Sequence, residues 1–279
     1  MVSIGMPVYN GEEYIVEAIE SILAQTFKDF EFIISDNAST DKTQEICEKY
    51  AKADNRIQYI RQKENIGILK NFEFVLFKSN FEYFMWAAHD DIWSENWIEV
   101  LYNKILINQK CVGVFGKLLI IDSKSKLINH VAIKNSLNYA GKYRRLKYYI
   151  EPETFGKANV WYSIFKKSYL KNTRIENITH DYELIYNLLS YGDILSDNKC
   201  YLKKRVIYDR EIVSLNEPAK KFTVLSSFKY KILFFKETQI MYYSNSKSYE
   251  KLMIFLLAPI KLLFDFYLTL LSRKINKES

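Results

Sequence analysis

The sequence predicts an α/β protein built on a mostly parallel sheet with helices covering both faces. Three observations carry that prediction. Short apolar runs alternate with segments of helical period through the first 121 residues, the pattern of strands joined by crossover helices. Several of those runs end in polar clusters, and in open sheets of this kind ligands bind beyond the carboxyl ends of the strands. Finally, 48% of the 279 residues are hydrophobic, which supports a full core and argues against wholesale disorder.

The elements follow in order. Val2–Met6 reads as a buried strand that begins almost at the first residue. Asn10, with Glu13 three residues on, has the arrangement of a capping box. Ile15, Ala18, Ile19, Ile22 and Leu23 then recur at helical spacing and form one apolar face. Phe30–Ser35 is a second strand, and Ser39 or Thr40 caps a helix running to about Ala53. Ile57–Ile60 is a third strand, followed by a helix over Ile68–Lys78. Tyr83–Ala88 is a fourth strand and ends in His89-Asp90-Asp91. A helix from Glu95 to Ile107 and a strand from Val112 to Ile121 complete the run.

Ser123–Phe155 is basic and tyrosine-rich with no clear period, and reads as an excursion over the site. Val160–Phe165 returns as a strand. Asp181–Ser190 is a short amphipathic helix, with Leu184, Ile185, Leu188 and Leu189 on one side, stopped by Gly192. Charge balance and composition change near Asn216-Glu217-Pro218, which divides the chain into a domain over 1–217 and a tail over 218–279.

The formal net charge of +7 is unevenly placed. From residue 218 on, eleven Lys and Arg face four acids, whereas the first 217 residues carry 29 of each. A nucleic-acid binder would carry its basic patch on the folded domain. Here the excess sits in a tail rich in Leu, Ile, Phe and Tyr, which points to an anionic membrane surface. Leu252–Leu271 is long enough to span a bilayer but contains Pro259, Lys261 and Asp265. Lys261, Asp265 and Thr269 fall on one stripe, so the expected arrangement is a helix lying in the interface. Cys47, Cys111 and Cys200 are far apart and odd in number, which suggests neither a zinc site nor a disulfide framework and fits a reducing compartment. No basic segment followed by an apolar stretch opens the chain, so no signal peptide is expected.

Asp90 and Asp91 are the first candidates for chemistry. Adjacent carboxylates at a strand end repel each other unless a positive charge lies beside them, and a hard divalent cation bound to diphosphate oxygens would supply it. The alternative is a pair of solvated loop acids. Asp36 ends the second strand on the same edge, either accepting hydrogen bonds from a nucleotide or closing an Asx turn. Asp181 lies in the first turn of its helix, where a carboxylate is favoured by the helix dipole alone. Asn65-Ile66-Gly67 reads by itself as a turn.

Five segments together match a family. Pro7-Val8-Tyr9-Asn10-Gly11, Ser35-Asp36-Asn37-Ala38-Ser39-Thr40-Asp41, Asn65-Ile66-Gly67 with Asn71, Trp86-Ala87-Ala88-His89-Asp90-Asp91 and His180-Asp181-Tyr182-Glu183-Leu184 occur in the order and spacing of family 2 glycosyltransferases. The resemblance covers residues 2–215. It implies the GT-A fold, and inverting transfer of a sugar from a nucleotide-diphosphate donor to a saccharide or lipid-linked acceptor, as in bacterial surface-polysaccharide synthesis. It also implies a divalent cation, Mn²⁺ or Mg²⁺; the basic, apolar tail adds the expectation of a cytoplasmic enzyme peripheral to the inner face of the plasma membrane.

Position by position, the resemblance puts the Pro7–Gly11 turn, with Tyr9 and Asn10, along the nucleotide and Asp36 at the base. Asn65 to Lys70 pass near base and ribose. Asp91 resembles the metal-binding acid of the D-x-D motif, with Asp90 beside ribose or phosphate. Asp181 matches the acid that serves as catalytic base. The departures are His89 and His180, where aspartate and glutamate are usual, and Glu211, which stands where many relatives carry a histidine.

Two other enzyme classes are disfavoured. No G-x-G-x-x-G follows the first strand, against a nicotinamide dehydrogenase, and the glycine-rich, lysine-bearing first loop of a nucleotidyltransferase is missing. A non-catalytic sugar-nucleotide-binding or scaffold protein is the rival from another class. The aromatics of 139–162, namely Tyr139, Tyr143, Tyr148, Tyr149, Trp161 and Tyr162, either stack on acceptor sugars or pack in the core.

Overall fold

The structure, a computed structural model, describes residues 1–128, 137–151, 156–171, 181–206, 239–240 and 242–278; the side chains of 181 and 264–278 are not described. Its first half follows the expected alternation closely: β1 (Val2–Val8), α1 (Ile15–Leu23), β2 (Phe30–Asp36), α2 (Thr43–Ala53), β3 (Ile57–Arg61), α3 (Ile68–Lys78) and β4 (Tyr83–Trp86). These strands pair in parallel in the order β3-β2-β1-β4. β1 is the first strand in sequence but lies inside this set, so the strand order reverses there and a crevice opens at its carboxyl end.

β1 is buried along its whole length because the sheet is covered on both faces. Ile15, Ala18, Ile19 and Ile22 form the inner face of α1, as their spacing predicts, and removing each large side chain from water contributes about 1.5–3 kcal/mol. Beyond β4 the chain forms β5 (Ile92–Trp93), α4 (Trp97–Ile107), β6 (Cys111–Ile121) and β7 (Leu127–Ile128). The later elements are α5 (Arg144–Ile150), a 3₁₀ helix (Lys157–Tyr162), β8 (Ile164–Lys166), α6 (Lys167–Leu170), α7 (Asp181–Leu188), β9 (Asp193–Arg205) and α8 (Ser248–Glu278). The sheet continues β4-β8-β6-β9-β5, with β8 antiparallel to both neighbours and β9 parallel to β6.

Several local expectations are corrected. Asn10 does not cap α1. The helix starts at Ile15 without a side-chain cap, and Asn10 turns left-handed at φ +50° and bonds Thr40 instead. Ser39 likewise leaves α2 uncapped, its hydroxyl accepting the Asn10 N–H at 2.9 Å. Of the run Val160–Phe165, the first half is 3₁₀ helix and only Ile164 onward is strand, because a short apolar run does not distinguish strand from helix by periodicity. The excursion 123–155 contains α5, whose buried face is Arg145, Tyr148 and Tyr149; a charged residue at a core position hid the helical period. β9 had no sequence signal, since Ser196 to Lys199 interrupt its apolar residues and its pairing with β6 is irregular.

The tail packs on this unit. Arg145 of α5 pairs with Glu250 at 2.6 Å, Tyr186 of α7 shares a hydrogen bond with Ser246 at 2.5 Å, and Tyr242 is wedged edge-on against Tyr149 and Tyr186. The expected boundary at 216–218 lies outside the described residues. Among those residues no helix is long and apolar enough to cross a membrane.

Candidate functional site

The site is assembled at the carboxyl ends of β1, β2 and β4. Val8 is in register with Asp36, and Gly5 with Trp86, so the loops that follow emerge side by side. The first two are laced together: Thr40 N–H donates to Asn10 Oδ1 at 2.9 Å, Gly11 N–H to Thr43 Oγ1 at 2.8 Å, and Glu12 N–H to Asp41 Oδ2 at 3.0 Å. Gly11 is required by a close approach, since a Cβ there would lie 2.7 Å from the His89 ring. That contact sets the first loop against the acid loop.

Asp36 has no exposed surface. Its Oδ1 accepts Ser39 N–H at 2.8 Å, and its Oδ2 accepts the Tyr59 hydroxyl at 2.8 Å and the Arg61 guanidinium at 2.6 Å. In this state Asp36 shapes the loop from behind and presents nothing to a base. Asn65 also holds a loop: its Oδ1 accepts Asn37 Nδ2 at 2.8 Å and Gly67 N–H at 2.9 Å. Pro7 is buried in β1, whereas Tyr9 is 44% exposed and Lys70 is exposed on α3. Tyr9 and Lys70 are therefore free to meet a nucleotide, with Arg61, one-third exposed beside Asp36, as a third candidate that the sequence did not single out.

The acid pair divides. Asp90 is half-buried, and its carboxylate makes no hydrogen bond among the described residues. Asp91 is fully buried, with Oδ1 accepting the Arg205 N–H at 3.0 Å and Oδ2 the Lys204 ammonium at 3.1 Å. Burial pushes the Asp91 carboxyl up to about 6; Lys204 opposes this, and Asp90 adds to it. Burial also works against the Lys204 ammonium, but Tyr162, Asp91 and Asp90 outweigh it and its pKa lies above the ordinary lysine value. The acid expected to be the open metal ligand is thus the inner one, already neutralised by a lysine.

Arg205 fixes the acid loop. Its guanidinium donates to the Asp90 carbonyl at 2.8 Å and to Glu17 at 2.9 Å, and it lies over the Tyr14 ring at 4.3 Å. Lys204 and Arg205 were missed because they end a strand with no apolar alternation; the only signal was the basic triplet Lys203-Lys204-Arg205 itself. Lys204 lines a cavity of about 360 Å³ with Ile68, Leu69 and Phe72 from α3 and Trp161 and Tyr162 from the 3₁₀ helix.

α7 packs on that 3₁₀ helix and begins at Asp181, whose side chain, like His180 and residues 207–211, is outside the described residues. Of the aromatics in 139–162, Tyr139, Tyr148, Tyr149 and Trp161 are core, Tyr162 is half-buried and Tyr143 is exposed. The three thiols are buried, which pushes Cys111 up to about 11 and Cys47 and Cys200 to about 12, so none is a nucleophile at neutral pH.

An α/β sheet with paired acids at its switch point places this chain among proteins that bind ligands at the carboxyl ends of their strands, and comparison with known proteins narrows the class. The family model Glycosyl transferase family 2 matches residues 3–172. The chain belongs to that family. It is 33% identical over 210 residues to an uncharacterized glycosyltransferase of Rickettsia typhi, covering 74% of this chain and 64% of the relative. It is 35% identical over 105 residues to glycosyltransferase GlyG of Streptococcus pneumoniae, covering 38% and 35%. The chain thus spans less than two thirds of these relatives.

Among solved structures, S. aureus TarS 1–349 in complex with UDP-GlcNAc superposes with TM-score 0.59 at 17% identity, over 91% of this chain and 70% of that one. The mannosyltransferase PcManGT from Pyrobaculum calidifontis, in complex with GDP-Man and Mn²⁺, gives 0.59 at 12%, over 100% and 75%. These likenesses establish the GT-A fold.

Proposed function

We propose that this chain transfers a sugar from a nucleotide-diphosphate donor to a hydroxyl of a saccharide or lipid-linked acceptor, with inversion, in cell-surface polysaccharide synthesis. The observation that carries the reading is the acid loop at the strand-order reversal, packed against the first loop, which the second loop braces, and flanked by a cavity. Tyr9, Arg61 and Lys70 line the nucleotide side, and Asn10, Asn65 and Asp36 hold the loops that present them. UDP-GlcNAc and GDP-Man in the structural neighbours support a donor of this chemical class.

Asp90 is the carboxylate open to a divalent cation, Mn²⁺ or Mg²⁺, with Asp91 behind it. One or two carboxylates suffice for a hard ion whose other ligands are phosphate oxygens and water. Among the described residues no group of three His, Cys, Asp or Glu is placed to hold such an ion, and Glu211 lies outside them. When bound with the donor, the ion offsets charge on the diphosphate. The acceptor hydroxyl loses its proton to Asp181 as it attacks the anomeric carbon from the face opposite the diphosphate, which inverts the configuration.

The tail places this site on an anionic membrane, on the inner face of the plasma membrane. Leu252, Phe255, Leu256, Ile260 and Leu263 are 57–73% exposed and line one stripe of α8. Lys261 points the other way, buried with its ammonium 5.9 Å from the centre of the Tyr149 ring. With Ile254 and Leu257 packed on the core beside Lys261, the outward apolar stripe is left for interfacial docking.

The test is nucleotide release from a panel of sugar nucleotides with Mn²⁺ or Mg²⁺, repeated with Asp181→Asn. The variant is expected to bind donor normally and lose about a hundredfold or more in transfer. Wild-type transfer by folded Asp181→Asn removes the base assignment, and no turnover of any donor by the wild type favours a binding or scaffold protein.

A further inference from the structure

Lys204 has an unusual position for a lysine that is only 25% exposed. One of its three N–H donors is used by Asp91 Oδ2 at 3.1 Å, and no other hydrogen bond engages the ammonium among the described residues. It lies 5.4 Å from the centre of the Tyr162 ring and lines the cavity that Trp161 and Tyr162 share with the start of α3. The buried indole N–H of Trp161 also has no acceptor among the described residues. The cavity is therefore lined by aromatic and aliphatic side chains together with Asn159, with the Lys204 cation on its wall, and Asp90 is near enough to act on Lys204 electrostatically.

Such a lining asks for an anion with an apolar or ring-shaped neighbour. The alternative is a lysine that only neutralises Asp91. Neutralisation needs one donor and no open space, whereas this side chain faces a cavity with two donors to spare. Arg205 N–H already satisfies the other Asp91 oxygen, so Asp91 serves to aim the ammonium.

We propose that Lys204 binds an oxygen of the donor diphosphate and is the protein's own cation for the departing group, present before any metal arrives. This rests on the glycosyl-transfer reading of the site. It implies that nucleoside diphosphate binding persists in part when divalent ions are removed, because a fixed ammonium remains beside the acid pair. An ammonium–phosphate hydrogen bond shorn of its cation loses about ten- to hundredfold in affinity.

The experiment measures binding of UDP and of GDP by calorimetry, with excess EDTA and with Mn²⁺, to wild type, Lys204→Met, Lys204→Arg, Asp91→Asn and the double variant Asp91→Asn/Lys204→Met. The double variant guards against misfolding, since it leaves no buried carboxylate without its partner, and loss of the Asp91 charge by itself favours an anion. The expected result is measurable wild-type binding in EDTA, weakened about ten- to hundredfold in Lys204→Met, and in the double variant relative to Asp91→Asn, and largely kept by Lys204→Arg. Equal affinity in EDTA of wild type and folded Lys204→Met, or of Asp91→Asn and the folded double variant, overturns the role of Lys204 alone, as does wild-type binding that vanishes in EDTA. Absence of wild-type binding to either nucleotide even with Mn²⁺ overturns the reading of the site, and the Lys204 proposal with it.

Discussion

Replacing Glu250 by Ala should destabilise the whole protein, although Glu250 lies in the tail. Glu250 and Arg145 are each only 7% exposed, and their N–O distance is 2.6 Å. Arg145 also lies over the Tyr186 ring at 4.1 Å and donates to the Asn245 carbonyl. Deleting the carboxylate strands a guanidinium where water cannot reach it, which costs about 3–5 kcal/mol. It also removes the acceptor for the Lys247 N–H, bound at 2.9 Å at the start of α8. Against a typical total of about 5–15 kcal/mol this is a large fraction. In urea, with a slope of about 3 kcal/mol/M, the midpoint should fall by about 1 M or more.

The control is Arg145→Met/Glu250→Leu, which removes both charges and should recover most of the loss, because apolar replacement of a buried pair is near neutral. A loss below about 1 kcal/mol, the value of a surface pair, would refute the reasoning. So would a separate early transition for the tail, which would make it an independent unit.

Three further outcomes follow from the same geometry. Asp90→Asn should leave the urea midpoint near wild type and weaken Mn²⁺-dependent nucleotide binding, whereas Asp91→Asn should lower the midpoint because Lys204 loses its partner; a stable Asp91→Asn alongside a destabilised Asp90→Asn would reverse the assignment of inner and outer acid. Asp36→Asn should cost about 1–3 kcal/mol, since Arg61, Tyr59 and Ser39 N–H all converge on its carboxylate, and thermal unfolding measures it directly. Phe255→Ser/Leu256→Ser/Ile260→Ser should abolish flotation with anionic vesicles at an unchanged melting temperature. These exposed positions are a cleaner probe than truncation at 217, which would also remove the partner of Arg145; continued flotation would place docking elsewhere.

How much of this was legible in the sequence depends on whether the responsible forces were local. The strand–helix run from Val2 to Ile121 was, because hydrophobic period and turn residues act over a few positions, and α3 falls on the expected residues Ile68–Lys78. The loop residues of the site were legible as motifs, and the structure gathers Asn10, Asp36, Asp90 and Asp91 at one edge as parallel pairing requires. Roles within that edge were not. Asp90 and Asp91 are equivalent as letters, yet one is half-buried and the other fully so, a difference created by Lys204 and Arg205 more than a hundred positions away. Lys261 read as a charge on a membrane helix, and Glu250 gave no signal at all. Only packing against Arg145 and Tyr149 turned them inward, because a charge stays buried where a partner from another element offsets its desolvation. The sequence by itself thus determined the α/β sheet and the edge at which the candidate residues gather. Tertiary structure decided which acid faces outward, which lysine stands beside it and which face of α8 is left exposed, since each depends on contacts between segments far apart in the chain.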